Sequence, residues 1–194
     1  MPSPSAAPVD LIAALADALD AVGARWYLFG AQAVLAWGRP RLTADIDVTV
    51  RMVPEDPAAL ARALEERGFR LRVADPADDF VRRTRVLPFT FTPAGMPVDV
   101  VLGGPGLEDL FLSRAVPVRI GAVTVPVISP EDLVVTKILA GRPKDLEDVR
   151  GILLERLSQL DLVVIRSTLA LLESALGQSD LLPEFEAAFK HATR

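Results

Sequence analysis

The chain has 194 residues, enough for one compact domain or a domain with a helical appendage. Hydrophobic residues make up 51% and charged residues 24%, a core-forming balance that argues against disorder over most of the length. There is no cysteine and the only histidine is His191, which excludes disulfides, thiolate metal sites, thiol nucleophiles and His-based triads; the net charge of −5 gives no bulk attraction to nucleic acid. Polar chemistry must then rest on carboxylates, lysine, arginine and hydroxyls.

The opening MPSPSAAP is low in complexity, and residues 1–8 are expected to be disordered. It has no basic start and no long apolar run, so it does not read as a signal peptide; no stretch reaches about 18 apolar residues, so no membrane span is expected and the location reads as cytoplasmic. Leu11, Ile12, Leu15, Leu19 and Val22 recur at helical spacing up to Gly23. RWYLF at 25–29 reads as a buried strand running into Gly30, after which AQAVLAW reads as a helix broken at Gly38-Arg39-Pro40. DIDVTV at 45–50 alternates as a strand, 57–67 is helical up to Gly68, and FRLRV is a further strand. The polar run 75–85 gives no clear pattern. VLPFTFT and MPVDVVL read as two strands joined across Pro93-Ala94-Gly95, GLEDLFLSRA as a short helix, and PVRIGAVTVPVI as a hairpin turning at Gly121.

From Ser129 onward the pattern is helical. Ser129 as N-cap, Pro130 at N1 and two acids in the first turn mark a strong start, and helices are expected over 131–140, 144–157, 160–176 and 182–189. The expected organisation is an α/β core over 9–128 and a helical region over 129–194 packed on it.

Asp45-Ile46-Asp47 is the strongest chemical feature. A strand's side-chain period of two sends Asp45 and Asp47 to one face and Ile46 and Val48 to the core. Two carboxylates so placed repel unless a cation lies between them, and oxygen ligands at this spacing suit Mg2+, with Mn2+ as its substitute. Solvated aspartates at a strand edge are the alternative. Gly30, fifteen residues before Asp45, ends a strand and opens a helix whose free N–H groups suit a phosphate, although an ordinary tight turn reads the same way. Asp99 sits among Val98, Val100, Val101 and Leu102, where a carboxylate is costly unless paired or bound. If its strand lies beside DIDV, it completes a three-carboxylate site for phosphoryl chemistry.

FGAQAVLAWGRPRLTADIDV (29–48) resembles the signature of the DNA polymerase β-like nucleotidyltransferase superfamily, most closely its minimal, AbiEii-type branch. LVVTKILAGRPKDLEDV (133–149) resembles that branch's lysine helix and the acidic element after it. The resemblance implies an α/β fold, a mixed β-sheet flanked by helices with a C-terminal helical extension, that moves an NMP from an NTP to a hydroxyl acceptor. By position it implies that Asp45, Asp47 and Asp99 are catalytic and hold Mg2+, with Asp99 helping to activate the acceptor hydroxyl. It implies nucleotide binding by Gly30, Ala31, Gln32, Arg41, Thr43 and Lys137, with Asp145 and Asp148 orienting the lysine. Ala31 stands where the family has Gly or Ser, which removes a hydroxyl from the phosphate turn. The implied partners are an NTP, an RNA, tRNA or protein acceptor, and a cognate toxin or antitoxin protein.

Lys137 shares a helix face with small and apolar residues, which suits a lysine aimed into a cleft or one that snorkels. Arg62, Arg67, Arg70, Arg72, Arg82, Arg83 and Arg85 are the basic concentration, either a solvated surface or a patch for an RNA acceptor. Rival motifs fail: the D-x-D-x-T of haloacid-dehalogenase-type phosphatases needs an apolar run before the first Asp, and Val50 stands where an EF-hand needs Gly. No Walker A sequence is present. The non-enzyme alternative is a catalytically silent, antitoxin-like module that binds nucleotide or protein through the same fold.

Overall fold

The computed structural model describes residues 7–39, 45–76 and 78–193. In chain order these form α1 (Ala7–Ala21), β1 (Arg25–Phe29), α2 (Gly30–Trp37), β2 (Ile46–Arg51), α3 (Pro57–Glu65), β3 (Phe69–Leu71), α4 (Asp79–Thr84), β4 (Val86–Phe91), β5 (Met96–Leu102) and α5 (Leu107–Arg114). They continue with β6 (Val116–Ile120), β7 (Val123–Val127), α6 (Pro130–Ala140), α7 (Pro143–Arg156), α8 (Leu162–Leu176) and α9 (Leu181–Ala192).

Three segments differ from the sequence pattern. The tail expected over 1–8 lies outside the described residues apart from Ala7 and Pro8, which open α1. The unassigned polar run holds α4, started by a cap rather than by an apolar stripe: the Asp78 side chain accepts from the Phe80 amide at 2.7 Å, and Val81 is its buried residue. The FRLRV strand is shorter than its alternation suggests, because β3 ends at Leu71, although the Arg72 amide still donates to the Pro88 carbonyl at 2.8 Å.

The chain divides into two units, one of residues 7–32 and 45–128, the other of 33–39 and 129–193 among those described. The first is built on a mixed seven-stranded sheet in the order β3-β4-β5-β2-β1-β7-β6. β2 runs parallel to β5 and antiparallel to β1, while β1 runs parallel to β7; β4 is antiparallel to both β3 and β5. Alternation decides the faces. Leu28, Ile46, Val48, Leu87, Phe89, Val98 and Val100 are fully buried, and the register aligns Ile46 with Val98 and Val98 with Phe89 on one face. α1 packs against β1, β7 and α3 through Leu11, Ile12, Leu15 and Leu19, its stripe at helical spacing. The other face carries Asp47, Asp99 and Pro88 in register, with Phe29 next to Asp47.

Pro88 is placed where its missing N–H costs little. It turns its carbonyl toward β3, so its nitrogen faces the same neighbour, at the point where β3 ends.

The second unit is helical. Ser129 caps α6 by accepting from the Asp132 amide at 3.1 Å, and Gly141 ends it. Asp161 caps α8 by accepting from the amides of Val163 and Val164. Val149, Ile152, Leu153, Ile165, Leu169 and Phe185 are fully buried. Arg156 of α7 satisfies the end of α2 by donating to the carbonyls of Ala36 and Trp37 while its guanidinium lies over the Trp37 ring.

Phe89→Ala should destabilise the first unit by about 3–5 kcal/mol, because it deletes one of the largest fully buried side chains from the sheet's core face. Urea unfolding checks this; a loss below about 1 kcal/mol would contradict the packing described.

Candidate active site

The β2–β5 pairing is what assembles the site. Its parallel register sets Asp47 directly beside Asp99, and both side chains leave the core face because Ile46, Val48, Val98 and Val100 occupy it. Strands lie about 4.8 Å apart, so the two carboxylates are neighbours. Phe29, the partner of Asp47 on β1, is followed at once by Gly30. Gly30 has φ +62, and a Cβ built on it would lie 2.0 Å from Asp47 Oδ2. Only glycine lets the chain turn from β1 into α2 this close to a carboxylate. Ala31 is buried and Gln32 half-buried in the first turn of that helix.

Asp45 stands one residue before β2 and is exposed, so the ladder that fixes Asp47 does not reach it. Asp99 is already engaged: Arg72 Nη2 donates to its Oδ1 at 2.5 Å, while Arg72 Nε donates to the Phe89 carbonyl at 3.0 Å. Among the described residues, no group of three acidic, histidine or cysteine side chains gathers into a ready metal cage. The donor set that fits a hard divalent cation is therefore the Asp47–Asp99 pair, two oxygen donors beside a backbone cradle that a Cβ would fill.

The second unit holds its own charge cluster. Lys137 is buried at 5% exposure, and its Nζ donates to Asp145 Oδ1 and Asp148 Oδ2, each at 2.8 Å. Asp145 is fully buried and also accepts from Arg142 Nε at 2.5 Å. Helical spacing places Asp145 and Asp148 on one face of α7, three residues apart. Burial pushes the Asp145 carboxyl up, but the hydrogen bonds from Arg142 and Lys137 outweigh it and hold its pKa below the usual carboxylate value.

Residues 11–175 match the family described as a nucleotidyltransferase of unknown function (DUF6036). The chain belongs to this family. No curated protein matches it significantly. Among solved structures it resembles the solution structure of the antibiotic-resistance factor ANT(2'')-Ia, with TM-score 0.60 and 15% identity over 88% of this chain and 94% of that one. The crystal structure of ANT(2")-Ia in complex with adenylyl-2"-tobramycin gives TM-score 0.60 and 18% identity over 88% and 99%. An antigenic nucleotidyltransferase-like protein from Paracoccidioides brasiliensis gives TM-score 0.56 and 18% identity over 94% and 92%. These likenesses bear on the fold, and the mixed sheet with flanking helices is a nucleotidyltransferase fold.

Arg41 and Thr43 lie outside the described residues. Gly30, Asp47 and Asp99 come together in the first unit, and Lys137, Asp145 and Asp148 in the second. Four of the seven arginines of the basic concentration have acidic partners. Arg85 makes a two-pronged ion pair with Glu55 at 2.8 and 2.6 Å, Arg82 pairs with Asp79, Arg67 lies 3.7 Å from Glu66, and Arg72 takes Asp99. Sequence reasoning missed Arg72 and Arg142 as partners of site carboxylates. For Arg142 the i,i+3 spacing to Asp145 was a usable signal; for Arg72 the signal was its place on the polar face of FRLR, legible only with the sheet register.

Gly30→Ala should displace the Asp47 carboxylate and cost about 1–3 kcal/mol in urea unfolding; wild-type stability would contradict the close approach. Asp145 has a lowered folded-state pKa, so its contribution to stability is complete above the unfolded value of about 4 and is lost as pH falls through the folded one. The stability difference between wild type and Asp145→Asn should thus be constant at neutral pH and shrink below about pH 4. A difference independent of pH would contradict the pairing.

Proposed function

We propose that this nucleotidyltransferase moves a nucleoside monophosphate from an NTP to a hydroxyl acceptor and releases pyrophosphate, with Asp47 and Asp99 holding Mg2+, or Mn2+ in its place, and Asp45 joining them by the resemblance alone. Nucleotidyltransferases generally use divalent metal ions. The observation that carries the reading is the register of Asp47 with Asp99 beside the Gly30 turn. When bound there, the cation neutralises charge on the transferring phosphoryl group and on the leaving pyrophosphate.

The chain's own residues do the rest. Gly30 lets the backbone run close to Asp47, and the amides of Gly30, Ala31 and Gln32 receive phosphate oxygens at the N-terminus of α2. Ala31 adds no hydroxyl, so this cradle works through backbone amides. Asp99 is 38% exposed, within reach of an incoming acceptor, and takes the proton of its attacking hydroxyl. For Arg41 and Thr43 the resemblance supports contacts to the nucleotide. For Lys137, Asp145 and Asp148 a nucleotide role rests on the resemblance alone; within the second unit the two aspartates hold the Lys137 ammonium at 2.8 Å.

The AbiEii-type resemblance of the R-x-T-x-D-h-D run (41–47) supports an RNA, tRNA or protein acceptor and a toxin–antitoxin or phage-defence setting with a cognate protein partner. A second reading takes a small-molecule hydroxyl as acceptor. It is favoured by the fold likeness to ANT(2")-Ia, whose solved complex contains adenylyl-2"-tobramycin.

Transfer of label from each α-labelled NTP into RNA, protein or an aminoglycoside pool tests the proposal, with Asp47→Asn in parallel. Label should enter one acceptor class and fall by roughly 10²–10³-fold in the variant, the effect of several kcal/mol of lost charge stabilisation. Transfer unchanged in Asp47→Asn, or none with any NTP, would contradict it.

A further inference from the structure

We propose that Arg72 is the resident counter-cation of the Asp47–Asp99 pair, and that a divalent cation enters the site by displacing it. This rests on the reading of Asp47 and Asp99 as metal ligands given above.

Two carboxylates in register on adjacent parallel strands repel each other across about 4.8 Å. The structure answers that repulsion from the sheet's edge. Leu71 pairs with Phe89, and the Arg72 amide then donates to Pro88, whose partner on β5 is Asp99. Arg72, one residue past the end of β3, therefore continues the row that Pro88, Asp99 and Asp47 form across β4, β5 and β2. From its end of the row, Arg72 extends past Pro88 and donates Nη2 to Asp99 Oδ1 at 2.5 Å.

Two further bonds aim the guanidinium. The backbone amide is pinned to the Pro88 carbonyl at 2.8 Å, and Nε is pinned to the Phe89 carbonyl at 3.0 Å. The side chain therefore approaches Asp99 from a fixed direction, as a planar fork does and a lysine does not.

The pair is nevertheless built to part. The side chains of Arg72 and Asp99 are 40% and 38% exposed, so water reaches both and screens their attraction. By contrast, the Lys137 pairs in the second unit are almost completely buried. A divalent ion between Asp47 and Asp99 takes the same carboxylate and repels the guanidinium, so the two cations are alternatives. Arg72 then acts as a positioning residue that holds Asp99 in place without metal and sets a threshold for metal entry.

The test is Mn2+ binding to the nucleotide-free protein, read from the electron paramagnetic resonance signal of free Mn2+. Wild type, Arg72→Ala, Arg72→Lys and Asp47→Asn are compared, with circular dichroism as a check of folding. Arg72→Ala should bind Mn2+ roughly two- to fivefold more tightly than wild type, the worth of an exposed ion pair removed from competition. Arg72→Lys keeps the charge but loses the fork, and should fall between the two. Equal or weaker binding in Arg72→Ala, with binding still lost in Asp47→Asn, would overturn the counter-cation role and leave the metal site standing. Binding insensitive to Asp47→Asn, or absent from wild type and Arg72→Ala alike, would overturn both.

Discussion

Carboxylates set side by side repel, and much of the first unit is arranged around that repulsion. The β2–β5 pairing brings Asp47 against Asp99 because the opposite face of both strands is filled by fully buried aliphatic residues. A slip of either strand by one residue would turn its own carboxylate into the core and its aliphatic residues out of it. The register is thus held by the hydrophobic face, and the polar face inherits a geometry it could not hold by itself. Gly30 and Arg72 complete the arrangement from opposite sides, one by leaving room for Asp47 Oδ2, the other by supplying positive charge to Asp99.

The second unit solves a related problem under stricter conditions. Lys137, Asp145 and Asp148 are buried, so each charge would be costly alone, and Arg142 adds a second positive charge by pairing with Asp145. Removing any one member leaves its partners uncompensated in a low-dielectric setting. Such a cluster holds one geometry and tolerates little change, whereas the half-exposed Arg72–Asp99 pair is free to exchange. The two charge groups differ in kind as well as in place.

Much of this was legible in the sequence. Alternation in DIDV sent Ile46 and Val48 to the core, as their burial confirms, and RWYLF running into Gly30 marked the strand-to-helix turn. Ser129-Pro130 marked the start of α6 through a local cap. The neighbours of a strand were harder. That β5 lies beside β2 is a tertiary choice that no local pattern encodes, so Asp99 could be singled out as costly but not placed. Arg72 was hidden for the same reason: its partner lies two strands away, across Pro88. α4 escaped because a cap and one buried valine leave no periodic stripe, and Asp45 lies where the strand's ladder has not yet begun.

The proposed nucleotidyl-transfer site stands or falls on the Asp47–Asp99 pair as its metal ligands. Crystals of the protein grown with Mn2+ and a non-hydrolysable NTP analogue, measured at the manganese absorption edge, test it most directly. The expected result is an anomalous peak in coordination contact with both carboxylates and with the analogue's phosphates, close to the Gly30 turn. A nucleotide bound elsewhere, or manganese that touches neither Asp47 nor Asp99, would contradict it.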